Sequence, residues 1–582
     1  MSFLLPLAIA LGISFVPVWL VRGAKSARAQ DNFIAGQPVP PDVMRNSFVA
    51  YFLRIATFAA LFAWGAGGDF LPAAIVAVCL GLGIYLVSLL REPLLGFLDT
   101  ALSGGTSATV HAFLAAQHGN EARLRLLAAC LTVVALTGLI TAEAFAGAIL
   151  VRPLFAASTA GVYLVAGGML LLALLYTTVS GNSGVMHSVQ LQLGLIYFGL
   201  FGSVALILYF IVSDASPTAP QAKFAIGFVA AAGALIMLYR RSKYVDTAQI
   251  ETSLQAESAR GSSGASRLLS RLEKILNPFI SAIVVFVVVL TGMEIFSVGP
   301  SAMARDSIAA FAMGTSTSGM TLGSLSLLAL LYPLVDARTW QTMAAAVKAT
   351  QCDPVRRSAT VERVLHSAAV EVPLVWLLIA MFGTLAALVT DAPAGRDALL
   401  TFMDWLVAEQ GGPADFVLSF FLVGLFAMAL SAMSSMLSAM LWVMRYDVLP
   451  ALSPDRSPTR AVVAGAGICV LAILLVCAAA ALLGMKFTSS SFLVLLVGCC
   501  CAQLALAPLL MRDLLTAGRS TRPEDLSASW SITAVLTAAG AGIAALVLCG
   551  VTGSEAWLWA ALPVTVGTGI AALLSARFLR RS

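Results

Sequence analysis

The feature that most constrains this chain is the recurrence of apolar runs about twenty residues long, the length an α-helix needs to cross a bilayer core. Fifteen such runs follow one another, near 3–21, 46–67, 71–90, 124–151, 159–179, 185–213, 224–239, 277–298, 303–334, 366–390, 417–444, 461–485, 489–511, 529–550 and 555–576. Of the 582 residues, 60% are hydrophobic and 11% charged. Soluble domains average about half and a quarter, so a water-soluble, disordered or nucleic-acid-binding chain is excluded. Lipid offers the backbone no hydrogen bonds, and an all-α polytopic membrane protein is the expected fold class.

Charge placement orients the bundle. The first run is followed by Arg22, Lys25 and Arg28 with no basic residue before it, the order of a retained helix with its amino end outside. Alternating the spans from there puts 28 of the 34 Lys and Arg residues on one side and five on the other, with Arg54 inside a span. The positive-inside rule makes the richer side cytoplasmic. The expectation is a multi-pass protein of the cytoplasmic (inner) membrane, amino terminus outside and carboxyl terminus in the cytoplasm. The basic stretch 240–275 reads as a cytoplasmic loop with one surface-lying helix.

Enzyme chemistry finds no support. The nine cysteines mostly lie in apolar runs without metal-ligand spacing. His111, His118, His187 and His366 stand at expected membrane edges and show no ligand spacing, and there is no phosphate- or dinucleotide-binding fingerprint. No enzyme, cofactor, metal beyond a sodium ion, or nucleic-acid partner is expected. The partners expected are the bilayer, a small solute and, for a sensor, an unidentified second protein.

Polar residues in hydrocarbon are costly and mark function by default. Arg54 lies near the middle of the second span and calls for a counter-charge, for which Glu143 on the fourth span is the candidate and Glu294 a weaker one. The pair reads equally as a structural one. The ninth span contains Gly314–Gly323, GTSTSGMTLG, whose Thr315, Ser316 and Ser318 suit a helix interrupted at membrane depth or, alternatively, close helix packing. The eleventh span places Ser431, Ser434, Ser435 and Ser438 on one helix face, a row of oxygens for a hard monovalent cation or a packing surface.

Several stretches, in order, resemble the sodium:solute symporter family over about 30–510. DNFIAGQPVP (31–40) is similar to its lead-in to the first core helix, and TVHAFLAAQHGN (109–120) to its loop after the second. LLYTTVSGNSGVMHSVQLQ (174–192) is similar to its junction of core helices four and five, LVDARTWQTMAAAVKA (334–349) to the close of the sixth, and FAMALSAMSSMLSAMLWVMRYDVL (426–449) to the eighth. The resemblance implies a LeuT-type core of two inverted five-helix repeats, with about 15 transmembrane helices in all. Its divisions would be 1–45, a helix and linker; 46–213, the first repeat; 214–302, an inserted helix pair; 303–511, the second repeat; and 512–582, two terminal helices.

The resemblance further implies a sodium site from Ala50, Leu53, Met428 and Ser431, with Ala432 standing where sodium-coupled members offer a hydroxyl and a one-turn slip bringing Ser434 and Ser435 there. Substrate would meet Arg54, Glu143, Thr315, Ser316, Ser318 and Ser438. Arg54 beside a sodium site opposes the ion, so sodium and a proton carried by Glu143 both remain as coupling ions. The implied function is secondary transport of a small polar solute, a carboxylate by preference. A membrane sensor or partner subunit that binds solute without moving it is the alternative.

Overall fold

The computed structural model describes residues 39–104, 107–150, 159–213, 318–350, 354–390, 398–408, 413–452, 489–517 and 527–579. The first span, the inserted pair with its basic loop, the 461–485 span, Glu294, Thr315 and Ser316 lie outside them. Among the described residues, nine helices are long and apolar enough to span a bilayer, and one further bent pair forms a broken span.

The bent pair opens the described chain. Helix α1 (Pro41–Phe52) starts with Pro at its first position, where the missing amide is no loss, and Asp42 in its first turn. It stops at Leu53, and α2 (Ile55–Ala66) resumes at an angle of 59°. Helices α3 (Phe70–Leu89), α4 (Arg91–Ser103), α5 (Val110–Gln117) and α6 (Ala122–Leu150) follow. Helix α7 (Thr159–Ser213) joins two expected spans across Gly181, whose φ of 62° and ψ of −173° interrupt it within the expected junction. Such a conformation is open to glycine without a Cβ penalty.

The second half repeats the theme. Helix α8 (Gly319–Val335) ends at Asp336, extended at ψ 120°, and α9 (Ala337–Ala349) begins there. Of the stretch Gly314–Gly323, where an interruption is expected, residues 314–317 lie outside the described residues; α8 starts within it, at its N-cap Ser318, and a further break lies at Asp336. Pro333 weakens the last turn of α8, and the Asp336 carboxylate offers the amides of α9 a cap. The span expected at 303–334 consequently extends to Ala349, so Arg338, expected in a cytoplasmic loop, lies inside the bundle. Then come α10 (Pro354–Thr390), α11 (Ala398–Ala408) and α12 (Pro413–Val443), which ends in a π-helical turn at Met444–Val448. Helices α13 (Ser489–Leu504), α14 (Ala507–Thr516), α15 (Ala528–Thr552) and α16 (Glu555–Leu579) complete it.

Two crossings hold the bundle together. Helices α7 and α12 pack along each other, and a Cβ on Gly199 would come within 2.6 Å of the Gly424 Cα, so glycine permits the approach. Helix α2 crosses α10, where Phe62 and Phe382 meet at 5.3 Å between ring centroids and Phe402 and Phe421 complete an aromatic cluster. Leu82 and Leu89 on α3, and Ile543, Val547 and Val551 on α15, face outward, as lipid-facing residues do. The fold is that of a polytopic membrane protein with a LeuT-type core.

Candidate functional site

The two breaks face one another. The Tyr51 hydroxyl, one turn before the first break, donates to Asp336 Oδ1 at 2.7 Å and lies 3.0 Å from the Tyr332 hydroxyl. Arg54, at the first break, donates through Nη2 to the Tyr332 hydroxyl at 2.9 Å. Its guanidinium lies 4.6 Å from the Tyr51 ring centroid and 5.0 Å from that of Tyr332, a cation between two aromatic faces. A chain of polar contacts thus links Arg54 to Asp336 through two tyrosines. Asp336 is filled by local donors, since its Oδ2 also accepts from the Thr339 amide and hydroxyl, both at 2.9 Å.

Glu143 does not pair with Arg54. Its Oε2 accepts from the Ile55 amide at 2.9 Å, so the carboxylate caps the half-helix α2, and no ion pair within 4 Å joins it to the arginine. The chemistry favours this because the first amides of a helix lack intrahelical acceptors and carry the positive end of its dipole. Glu143 and Asp336 perform the same task at the two breaks.

Arg54 has five N–H donors. Nε reaches the Tyr51 carbonyl at 3.4 Å and one Nη2 proton reaches Tyr332, leaving Nη1 without a protein acceptor among the described residues. Arg54, Thr57, Glu143, Tyr332 and Trp376 line a cavity of about 940 Å³ that extends from the first break toward Gly67 and Asp69 at the end of α2 and Glu555 at the start of α16. Ser318 and Thr321 lie along it, their hydroxyls bonded to each other at 2.8 Å.

The opposite end, toward the start of α1, is closed by Arg338. This side chain is fully buried and donates through Nη1 to Asn182 Oδ1 at 2.5 Å and Gln341 Oε1 at 2.7 Å, and through Nη2 to Ser47 Oγ at 2.8 Å. Ser438 Oγ donates to Asn182 Oδ1 at 3.1 Å and accepts from Gln341 Nε2 at 3.2 Å. One guanidinium therefore ties together α1, the Gly181 interruption of α7 and α9, and Ser438 joins α12 to the knot through Asn182 and Gln341. Ser438 belongs to this knot and does not border the cavity.

The other serines are buried as the stripe required. Ser431 Oγ donates to the Met428 carbonyl at 2.9 Å and Ser434 Oγ to the Ser431 carbonyl at 3.3 Å, which leaves the hydroxyl lone pairs free to accept. Ser435 Oγ is sealed from solvent without a partner. The Ala50 carbonyl accepts from the Leu53 amide at 3.1 Å, closing α1.

Sequence reasoning missed Asp336, Tyr51, Tyr332 and Arg338 as site residues. It also missed two buried pairs that hold α5: His111 Nδ1 to Asp447 Oδ2 at 2.8 Å, and His118 Nε2 to Asp513 Oδ2 at 3.0 Å. Their partners lie 336 and 395 residues away, beyond any local pattern. The signal in the sequence was an acidic residue, with a basic neighbour at Arg445 or Arg512, at the edge of an apolar segment.

No protein-family model and no curated protein matches this chain. Among solved structures, the chain is similar to a Na+-coupled sialic acid symporter captured substrate-bound and outward-open, at 16% identity and a TM-score of 0.62. The alignment covers 99% of this chain and 98% of that one. The shared feature is the fold, a Na+ symporter-type architecture.

Proposed function

We propose that this protein is a secondary active transporter, of the sodium:solute symporter type, that moves a small solute bearing a carboxylate across the cytoplasmic membrane. The observation that carries the reading is the Nη1 edge of Arg54, unpaired among the described residues and set at a broken helix on the wall of a large cavity. A guanidinium in this position recognises a carboxylate by paired, charge-assisted hydrogen bonds. Interrupted helices facing each other near mid-bilayer are the architecture in which such solutes are held during alternating access.

With the orientation expected from the basic residues, the cavity opens outward and the Arg338 knot closes the cytoplasmic end. Solute reaches Arg54 from outside, the bundle rocks, and inward release requires Ser47 and Asn182 to part from Arg338 and Ser438 to part from Gln341. Electrostatics supplies a reason for coupling. The two breaks hold Arg54 and Arg338 against Glu143 and Asp336, a formally neutral set. A solute carboxylate adds one negative charge in a region of low dielectric, and one co-transported cation offsets it. Sodium would be held by the carbonyls of Ala50 and Leu53 with Met428, Ser431, Ser434 and Ser435; a proton would be carried by Glu143.

Counterflow of labelled monocarboxylates into proteoliposomes, with and without sodium and proton gradients, tests the reading. Uptake that is saturable, driven by one of the gradients and lost in Arg54→Gln is expected. Binding without counterflow would replace the transporter with a solute sensor. Uptake unchanged in a folded Arg54→Gln variant would remove Arg54 from the site.

A further inference from the structure

The wall of the cavity constrains the rest of the solute. Leu61, Val76, Leu80, Leu328, Trp64 and Trp376 form much of it among the described residues. The polar groups that border it are largely spent. The Tyr332 hydroxyl serves Tyr51 and Arg54, the Trp376 Nε1 donates to the Phe52 carbonyl at 3.2 Å, Ser318 and Thr321 serve each other, and Glu143 caps α2. Apart from two indole N–H groups, on Trp64 and Trp559, and Oε1 of Glu143, which as a carboxylate oxygen repels an anion, the hydrogen-bonding side chains left to a solute near the break among the described residues are Arg54 through Nη1 and Thr57; Asp69 and Glu555 stand at the far end of the cavity. Arg54 and Thr57 stand at the cap of α2 and in its first turn, at one end of the cavity.

Building on the transport reading above, we infer that the solute is an apolar monocarboxylate, an acid whose carboxylate docks at Arg54 and Thr57 and whose body is an aryl or branched alkyl group. The fold neighbour is a symporter of sialic acid, a polyhydroxylated sugar acid. Such a ligand does not fit this wall. Each hydroxyl placed against Leu80, Leu328 or an indole face would give up water and gain no partner, the costly case for a polar group. An aryl or alkyl body instead gains contact with aliphatic side chains and the faces of Trp64 and Trp376, and the preference for an apolar pocket with a few convergent polar groups is met at Arg54 and Thr57. Specificity arises at two levels: the guanidinium selects the anion, and the apolar wall formed by the described residues disfavours its hydroxylated analogues.

The test uses the full chain in lipid nanodiscs with radiolabelled 3-phenylpropionate as probe and acetate, butyrate, hexanoate, gluconate, glucuronate and 3-phenylpropanamide as competitors. Phenylpropionate is expected to bind. Affinity should rise from acetate to hexanoate by about fourfold per methylene, gluconate and glucuronate should bind about a hundredfold more weakly than phenylpropionate, and the neutral amide at least tenfold more weakly. Arg54→Gln should weaken phenylpropionate at least tenfold. Thr57→Val, a change of one atom on the helix surface, should weaken it severalfold and keeps the test valid if the arginine variant does not fold. Sugar acids that bind as tightly as phenylpropionate while Arg54→Gln still destroys binding would overturn this inference and leave the transport reading standing. Acids that all bind equally to wild type and to folded Arg54→Gln would overturn the carboxylate site itself, and so would the absence of binding by every acid.

Discussion

Replacing Arg338 by Met removes the knot that closes the end of the bundle opposite the cavity while nearly preserving side-chain volume. Three hydrogen bonds from a charged donor disappear, to Asn182, Gln341 and Ser47 at 2.5, 2.7 and 2.8 Å. Each such bond is worth about 1.5–3 kcal/mol. The sum overstates the effect, because the variant no longer has to bury a guanidinium, a cost of several kcal/mol. Asn182 keeps the Ser438 hydroxyl as donor. Ser47 Oγ and Gln341 Oε1 lose the guanidinium, at about 1–3 kcal/mol for each acceptor left unmet. Taking about 1.4 kcal/mol for each of the two acceptors, in the lower half of that range, the shift toward the separated arrangement is about 2.8 kcal/mol, about a hundredfold in population. Hydrogen exchange read by mass spectrometry on peptides from 41–52 and 337–349 measures that population directly. Exchange should accelerate about a hundredfold in both segments while those from α15 and α16 stay as in wild type. Arg338→Lys should fall between, since an ammonium cannot reproduce the planar fork. Exchange within threefold of wild type in both segments of Arg338→Met would refute the assignment of Arg338 as the closing element.

Other outcomes follow from individual contacts. Glu143→Gln keeps an oxygen for the Ile55 amide but removes a negative charge near Arg54, so monocarboxylate affinity should rise severalfold with the melting temperature little changed, whereas Glu143→Leu should destabilise by about 1–3 kcal/mol in thermal melts. Equal behaviour of the two would show that the cap is unimportant. Asp447→Asn disrupts the carboxylate on which Arg125, at 2.8 Å, His111 and Thr109 converge, and should cost about 3–5 kcal/mol by thermal unfolding; a loss below 1 kcal/mol would contradict that convergence. Ser435→Ala removes a sealed hydroxyl without a protein partner, so stability should hold or rise while the sodium-stimulated part of uptake falls. Retained sodium stimulation would take Ser435 out of the ion site.

What the sequence revealed and what it concealed divide along a physical line. Long apolar segments announce themselves, because a bilayer demands them whatever their neighbours. The Gly181 junction was visible as glycine and polar residues between two such segments, and the serine stripe as helical periodicity. The break at Asp336 was not legible, because Gly314–Gly323 has the composition of an interrupted helix, whereas this interruption depends on one carboxylate, Asp336, that caps the next half-helix. Arg54 and Glu143 were rightly singled out as costly in lipid, but the counter-charge rule expected them to bond to each other. Backbone amides freed by the break compete for the same carboxylate, and Glu143 serves Ile55. The tyrosines that hold Arg54 could not be found in the sequence alone, since Tyr332 lies 278 residues from it and a tyrosine in an apolar run looks like core.

The proposed site depends on Arg54 presenting, at a broken helix, an Nη1 edge that has no acceptor among the described residues. An experimental structure of the full chain in nanodiscs, determined with saturating 3-phenylpropionate, addresses this most directly. The account predicts interruptions at Leu53–Arg54 and at Asp336, with ligand density whose carboxylate meets Arg54 Nη1 and the Thr57 hydroxyl. A helix running unbroken through 41–66, or Arg54 paired with Glu143 and the ligand bound elsewhere, would contradict it.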